Sequence, residues 1–315
     1  MKKHKNRFST MTDTPVPLPV FQLSGGSGEQ REHFLKLLVS GLKYRALTCK
    51  IVGRGESLSL YSLHHLVKGY DLVVADANVD MPMPAVKICC DGGTEESDLN
   101  WSTEKSTIEQ FLDQLVSRLD TLVKTIPVWG CVLIGGKSSR MGRPKHLLTS
   151  LNGTSWVENT LKILTPLLDG LVVSGGGVLP ESLRSRTRLA DVPGVVGPLS
   201  GVLAACRWQP LASWLLIACD MPNLSEEAVR WLLDKRHAGC WGVAPRQAGK
   251  EYCEPLFSWY DMRATQLFEE QVLQGNMRIG AVASHPNIEN PVIPDRLRNA
   301  WQNVNTPEQL KALEL

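Results

Sequence analysis

The stretch that most constrains the fold of this 315-residue chain is an apolar run followed by two glycines and a basic loop. Residues 128–134 are apolar and rich in β-branched side chains, which predicts a buried parallel strand. Gly135 and Gly136 follow at once, and because they lack Cβ atoms the chain can turn sharply and a ligand can reach the backbone. A strand that leads into a glycine-rich loop brings backbone N–H groups up to phosphates. The pattern therefore predicts an α/β fold with a phosphate-binding site after this strand.

Four cations follow the glycine pair within the reach of one loop: Lys137, Arg140, Arg143 and Lys145. Such a cluster suits a polyphosphate, since each positive charge can offset one phosphate oxygen. The loop is neither a G-x-x-x-x-G-K-[ST] loop nor a G-x-G-x-x-G dinucleotide fingerprint, because its glycine spacing fits neither pattern.

The length of the chain and its alternation of strand and helix patterns predict two α/β domains. Residues 1–19 are basic and proline-rich and predict a disordered tail. Residues 20–126 predict a smaller, P-loop-like α/β domain. Residues 127–315 predict a Rossmann-like domain, with a mostly parallel sheet and helices on both faces. The boundary falls at Pro127, because proline cannot continue the preceding helix.

The composition excludes several classes of protein. With 43% hydrophobic and 21% charged residues and a net charge of +2, the chain indicates an ordinary globular protein without affinity for nucleic acid or membranes. No apolar run approaches the roughly 18 residues that a membrane span needs. The eight cysteines form no C-x-x-C pair, which is typical of free thiols in a reducing cytoplasm. We therefore expect a cytoplasmic protein.

Two acidic residues stand where a parallel sheet presents its ligands. Asp220 ends the apolar run 214–219, and a carboxylate at the end of a strand suits Mg²⁺, which prefers carboxylates and water. Asp191 precedes Gly197 and Pro198, which suit a helix N-terminus aimed at a ligand. Asp220 is predicted to face the loop that carries Lys145.

Four motifs together resemble the MobA-like nucleotidyltransferases, and among them most closely the molybdenum cofactor guanylyltransferases. They are G-G-x-S-x-R-M-G-x-x-K at 135–145, G-P-L-x-G at 197–201, C-D-x-P at 219–222 and N-x-N-T-P-E at 303–308. The resemblance covers roughly residues 128–312. It implies transfer of GMP from GTP to molybdopterin, or to its molybdenum-loaded form, with release of pyrophosphate.

The resemblance also implies a role for individual residues. Asp220 would hold Mg²⁺, and Lys145 and Arg140 would offset charge on the triphosphate; these three are the predicted catalytic residues. Asp191 would recognise the guanine or the ribose, a choice that the sequence leaves open. The full predicted binding set is Leu133, Ile134, Gly135, Gly136, Lys145, Asp191, Gly197, Asp220, Asn303 and Asn305, with the two asparagines beside the acceptor and the metal.

The first domain resembles a degenerate MobB, the P-loop partner of the guanylyltransferases. The glycine turn 25–28 follows a strand, but Glu29 stands where the phosphate-binding lysine belongs. The predicted role is therefore docking or substrate presentation, with nucleotide binding as the alternative. A separate MobB-type protein and molybdoenzyme chaperones are further predicted partners.

Two other functions compete with guanylyl transfer. A sibling cytidylyltransferase would use the same chemistry, and the residues at 174–176 replace an asparagine found near this point in enterobacterial guanylyltransferases. A non-catalytic carrier of the pterin cofactor is the third possibility, although the intact Lys145 and Asp220 argue against it.

Overall fold

A computed structural model of the chain describes residues 18–53, 55–91, 97–104, 106–135, 144–150 and 153–313. Most of the predicted tail lies outside these ranges. Its last two residues do not behave as a tail: Leu18 is buried, and the carbonyl of Pro19 accepts a hydrogen bond from the N–H of Val73. The first sheet therefore begins to pack two residues earlier than predicted.

The described residues form two β-sheets, and the first of them has five parallel strands. They are β1 (Val20–Gly25), β2 (Cys49–Val52), β3 (Leu72–Ala75), β4 (Val86–Cys90) and β5 (Leu99–Trp101), in the order β2-β3-β1-β4-β5. Three helices accompany them: α1 (Gly28–Tyr44), α2 (Leu60–Gly69) and α3 (Ile108–Thr125). We call this part of the structure the first module.

The start of α3 differs from the sequence prediction. The spacing of Ser106 and Glu109 predicts a capping box, but Thr107 and Gln110 form it. The Oγ1 of Thr107 accepts from the N–H of Gln110 at 3.3 Å, and the N–H of Thr107 donates to Gln110 Oε1 at 3.2 Å. Ser106 is not available because its hydroxyl donates to the carbonyl of Ser102 in the preceding turn. The apolar spacing predicts one stripe along this helix, and the structure buries all of it except Ile108, which is partly buried. The buried members are Phe111, Leu112, Leu115, Leu119, Leu122 and Val123.

Within the part of the chain that the structure describes, the second sheet has seven strands in the order β12-β10-β11-β9-β6-β7-β8. They are β6 (Val128–Leu133), β7 (Gly170–Ser174), β8 (Arg188–Leu189), β9 (Ser213–Ala218), β10 (Gly242–Val243), β11 (Ser258–Tyr260) and β12 (Ile288–Glu289). Strand β11 is antiparallel to both neighbours and every other pairing is parallel. The accompanying helices are α4 (Trp156–Leu164), α5 (Pro198–Trp208), α6 (Glu226–Leu233), α7 (Ala264–Leu273) and α8 (Pro307–Leu313). We call this part the second module.

Helices cover both faces of the second sheet. Alternate residues of its strands point to opposite sides, and apolar residues on both sides are buried by helices. On β9, Leu215 and Ile217 pack with α4 and α6, whereas Trp214 and Leu216 pack with α5 and α7. This arrangement confirms the predicted α/β class with a mostly parallel sheet. None of the helices in the described ranges is long and apolar enough to cross a membrane.

A buried charged cluster joins the two modules. Arg263 donates to Asp261 at 2.6 Å and to Asp71, which lies next to β3. The indole N–H of Trp241 also donates to Asp71, at 2.9 Å. All three charged residues are at most 3% exposed. The cluster therefore fixes the first module against the sheet that carries the predicted site.

Candidate active site

A cavity of about 430 Å³ lies at the carboxyl edge of the second sheet. Its walls come from the ends of β6, β7 and β9 and from the first turn of α5, as expected for an open parallel sheet. Seven of the predicted site residues line it: Leu133, Ile134, Gly135, Lys145, Asp191, Gly197 and Asp220. Gly136 and Arg140 lie outside the described residues.

Glycines let two loops meet at the floor of this cavity. The N–H of Ile134 donates to the carbonyl of Ser174 at 2.8 Å, which extends the pairing of β6 with β7. Gly135 and Gly175 have φ angles of +108° and +114°, which side chains rarely adopt. A Cβ at Gly175 would lie 1.8 Å from the carbonyl oxygen of Ile134. Only glycine fits there, and the backbone of both loops lines the cavity.

Lys145 is held at the end of β9 by two oxygen atoms. Its ammonium donates to Asp220 Oδ2 at 3.0 Å and to Asn305 Oδ1 at 2.6 Å. The side chains of Lys145 and Asp220 are each 17% exposed, so the pair is largely shielded from solvent. The N–H of Val304 donates to the carbonyl of Asp220 at 3.0 Å, which ties the segment carrying Asn305 to this strand end. Three predicted residues from distant parts of the chain thus meet here.

Two further oxygen atoms, on Asp220 and on Asn303, receive no hydrogen bond from the described residues. Asp220 Oδ1 and Asn303 Oδ1 are both buried, and neither finds a partner among the described residues. Leaving a buried oxygen unpaired costs about 1–3 kcal/mol unless a ligand satisfies it. A carboxylate and an amide oxygen are hard donors that suit Mg²⁺ or another small divalent cation. The residues present therefore fit the metal ion that the sequence predicted.

The atoms left unpaired at the end of β9 are oxygens of a carboxylate and an amide. The neighbouring thiol of Cys219 is buried, and burial together with the negative charge of Asp220 raises its pKa to about 12. Oxygen donors favour a hard cation over a soft one.

The opposite end of the cavity is formed by the start of α5. Gly197 has a φ of +72° and provides no side-chain cap, so the first turn of the helix directs N–H groups and the positive end of its dipole at the cavity. A Cβ at Gly201 would lie 2.5 Å from Leu133 and 2.8 Å from the hydroxyl of Ser174. Glycine there lets α5 approach the sheet. Asp191 stands exposed at the rim of this end.

Sequence reasoning missed the role of His146, which follows Lys145. The histidine is 2% exposed, and its Nε2 lies 2.9 Å from the carbonyl oxygen of Val178. This contact joins the turn that carries Lys145 to the glycine loop after β7. The only signal in the sequence was adjacency to Lys145, which does not reveal a partner 32 residues away.

The glycine turn of the first module is occupied by its own side chains. The guanidinium of Arg31 donates to the carbonyl oxygens of Gly25 and Gly26 at 3.1 and 2.8 Å, and to Asp76 at 2.9 Å. A phosphate-binding loop presents N–H groups to an anion, whereas this loop presents carbonyl oxygens to a cation. The geometry therefore gives no support to nucleotide binding in this module.

The second module is built like an enzyme that acts on nucleotides. A parallel α/β sheet whose carboxyl edge carries glycine loops, a shielded lysine and free acidic oxygens defines the nucleotidyltransferase class. A family model described as the MobA-like NTP transferase domain matches residues 130–287, half of the chain, and this chain belongs to that family. The match confirms the predicted family and enzyme class. Enzymes of this class generally use a divalent metal ion.

Relatives similar to this chain carry consistent names. A probable molybdenum cofactor guanylyltransferase from Pelotomaculum thermopropionicum is 30% identical over 191 residues, which are 58% of this chain and 89% of the relative. One from Bacillus cereus is 29% identical over 187 residues, which are 57% and 92% of the two chains. Among solved structures, molybdopterin-guanine dinucleotide biosynthesis protein A from Archaeoglobus fulgidus is 27% identical, with a TM-score of 0.48, and covers 59% of this chain and 96% of its own. The likeness of the first module to MobB stays a prediction.

Proposed function

We propose that this chain transfers GMP from GTP to molybdopterin, or to its molybdenum-loaded form, and releases pyrophosphate to give a guanine dinucleotide cofactor. The observation that carries the proposal is the meeting of Lys145, Asp220 and Asn305 at the end of β9, together with two oxygen atoms, on Asp220 and Asn303, that the described residues leave unpaired. The names of the similar relatives support the choice of substrates.

The reaction needs charge neutralisation and alignment more than proton transfer. A terminal phosphate oxygen of the pterin attacks the α-phosphorus of GTP, and the bond from that phosphorus to the oxygen bridging to the β-phosphate breaks. The nucleophile is already an anion near neutral pH, so no general base is required. In agreement with this, no histidine lines the cavity within the described residues.

Different residues along the carboxyl edge of the sheet have different roles in this reaction. Lys145 supplies a fixed positive charge for the phosphates, because Asp220 and Asn305 restrict its side chain. The backbone of Leu133, Ile134 and Gly135 contacts the base, and Arg140 adds a second cation to the triphosphate. Mg²⁺ bound through Asp220 and Asn303 would supply charge neutralisation and a template at the α-phosphate.

The base is recognised at the other end of the cavity in this proposal. Asp191 at the rim accepts hydrogen bonds from the guanine edge or from the ribose, and the first turn of α5 from Gly197 lies beside it. Cytidylyl transfer is the second candidate, because Ser174 lines this wall where a longer amide side chain would reach further into the cavity.

The chain as a whole is proposed to contain a tail at 1–19, whose last two residues already pack against the first sheet, a MobB-like domain at 20–126 and the nucleotidyltransferase domain at 127–315. The first domain is proposed to dock or present substrate and not to hydrolyse nucleotide. The glycine turn filled by Arg31 supports the absence of hydrolysis in this proposal. The buried Asp71–Arg263 contact between the modules supports a docking role.

Pyrophosphate release tests the proposed substrates. Purified protein with Mg²⁺, molybdopterin and molybdate is offered GTP, CTP or ATP separately, with Asp220→Ala as the inactive variant. Release with GTP alone that is lost in the variant is the expected result. Release with CTP alone would show that the nucleotide carries cytosine and not guanine. No release from folded protein that binds the pterin would favour a non-catalytic carrier. Asp295→Asn, at an exposed position outside the cavity, is the matched control and should keep full activity.

A further inference from the structure

Three potential metal ligands lie together at a place that the proposed activity does not use. They are His237, Cys240 and Glu289, and one ligand atom of each lies within 4.8 Å of the others. None of the three lines the cavity at the carboxyl edge. Imidazole nitrogen, thiolate sulfur and carboxylate oxygen together form a donor set typical of zinc.

The backbone already brings two of these ligands to the same side of a tight turn. The N–H of Cys240 donates to the carbonyl of His237 at 3.2 Å, and Gly239 between them has a φ of +79°. This is a four-residue turn with glycine at its third position, where a positive φ is required. Two ligands separated by two residues are a common spacing in zinc sites. The sequence H-x-x-C at 237–240 is therefore folded as a zinc-binding turn would be.

Contacts from other elements fix this turn. The N–H of Ala238 donates to Asp120 of α3 at 2.7 Å, and the side chain of Asn287 donates to the carbonyl of Gly239 at 2.9 Å. A Cβ at Gly239 would lie 2.8 Å from Leu47 of the first module, so that side is closed as well. A turn held from three sides presents its ligands without further ordering, which lowers the cost of binding a metal.

The hydrogen bonds of His237 show where a cation fits. Its Nδ1 lies 2.7 Å from the carbonyl oxygen of Ala238, and its Nε2 lies 2.6 Å from Glu289 Oε1. Both neighbours are acceptors, so a positive centre must lie between Nε2 and the carboxylate, either a proton or a metal ion. An Nδ1–H that donates to a backbone carbonyl is the contact that metal-bound histidines usually make, and it leaves Nε2 as the ligand nitrogen.

We propose that His237, Cys240 and Glu289 form a zinc site, with the fourth position open to solvent. Without metal, an imidazolium, a carboxylate and a neutral thiol give a net charge of zero. Binding of Zn²⁺ displaces one proton from Nε2 and one from the thiol, which leaves imidazole, carboxylate and thiolate around the ion and again a net charge of zero. Metal–ligand bonds of about 2.0–2.3 Å separate donor atoms by about 3–4 Å, which the present spacing reaches with small side-chain movements.

The thiol of Cys240 is the ligand that depends most on the metal. It is 1% exposed and donates to the carbonyl of Gly242 at 3.3 Å. Burial raises its pKa to about 12, so without metal it is a protonated, unreactive thiol. Coordination removes such a proton outright. The site would link the turn at 237–240 to the edge strand β12 and, through Asp120, hold it against α3.

Cobalt substitution tests the site on the full chain. Protein freed of metal with a chelator is titrated with Co²⁺ and followed for the sulfur-to-cobalt charge-transfer band, which requires a thiolate ligand, and is then back-titrated with Zn²⁺. We expect one equivalent with that band in the wild type. The variants Cys240→Ser, His237→Gln and Glu289→Gln should lose the band or bind at least tenfold more weakly.

Two controls separate this site from other sources of metal binding. Cys253→Ser removes a free, partly buried thiol outside the cluster, and Asp220→Ala removes the carboxylate proposed to hold the catalytic metal. Both should keep the band, so the test is independent of the proposed activity. Because the side chain of His237 is 48% exposed, His237→Gln should fold even if Cys240→Ser does not, and zinc should raise the melting temperature of the wild type but not of His237→Gln. Absence of the band in the wild type, or its persistence in folded Cys240→Ser, would overturn the proposal.

Discussion

At the scale of single residues, the site depends on backbone positions that admit no side chain. Gly175 combines a φ of +114° with a carbonyl oxygen 1.8 Å from the place of a Cβ, whereas no atom of the described residues lies within 4 Å of a Cβ at the adjacent Gly176. Two neighbouring glycines that look alike in sequence thus differ sharply in what they tolerate. The difference arises because Ile134 approaches Gly175 when β6 pairs with β7, and the sequence alone does not show this contact.

The Gly175→Ala variant should therefore be destabilised by about 2–3 kcal/mol and should bind nucleotide more weakly, because the loop must move away from Ile134. Gly176→Ala is the matched control and should stay within about 0.5 kcal/mol of the wild type. Urea unfolding and the KM for GTP measure the two effects. Equal stability of the two variants would contradict the geometry of the loop.

At the scale of elements, the sequence predicted the strands around the motifs better than the ends of the helices. The run 128–134 and the strand before Asp220 are present as β6 and β9, because apolar β-branched residues next to glycine or proline leave few alternatives. The start of α3 was misplaced by one residue, since Ser106 and Thr107 are both good caps and only the contact of Ser106 with Ser102 decides between them.

Replacement of the cap tests this assignment. Thr107→Ala should cost about 1 kcal/mol, because it leaves an N–H of the first turn of α3 without an acceptor. Ser106→Ala should cost clearly less, because its contacts with Ser102, at 3.3–3.4 Å, lie in the turn before α3 and cap no N–H of the helix. Thermal unfolding of both variants measures the two losses of stability. A larger loss of stability for Ser106→Ala would favour Ser106 as the cap of α3.

At the scale of the whole molecule, the contacts that matter most join residues far apart in sequence. Arg263 and Asp71 are separated by 192 positions, and Lys145 and Asn305 by 160. The family motifs predicted that Lys145 and Asn305 belong to the site, but they did not predict that the two side chains contact each other. No pattern pointed to the first pair, because an isolated aspartate at a strand start and an isolated arginine at a helix start are ordinary surface residues in most proteins.

Removal of the buried arginine should therefore have a large effect on stability. Arg263→Met leaves Asp71 and Asp261 buried without their cation and should cost about 3–5 kcal/mol. The matched control is Arg207→Met, which removes an exposed pair with Glu269 and should cost no more than about 1 kcal/mol. Calorimetry should also show the two modules unfolding less cooperatively in Arg263→Met. Similar losses for the two variants would mean that the buried cluster does not hold the modules together.

Transfer of the α-phosphate of GTP tests the central claim most directly, namely that Lys145 and Asp220 form the centre of a nucleotidyltransferase. GTP labelled at its α-phosphate is incubated with the protein, Mg²⁺ and molybdopterin, and the label is followed by chromatography. We predict that label enters the pterin with the wild type and with Asp295→Asn. The rate should fall by about 100-fold or more in Lys145→Met and Asp220→Asn, both folded, because each removes charge stabilisation from the transition state. Transfer at the wild-type rate by either variant, or label that never reaches the pterin with the wild type, would contradict the account.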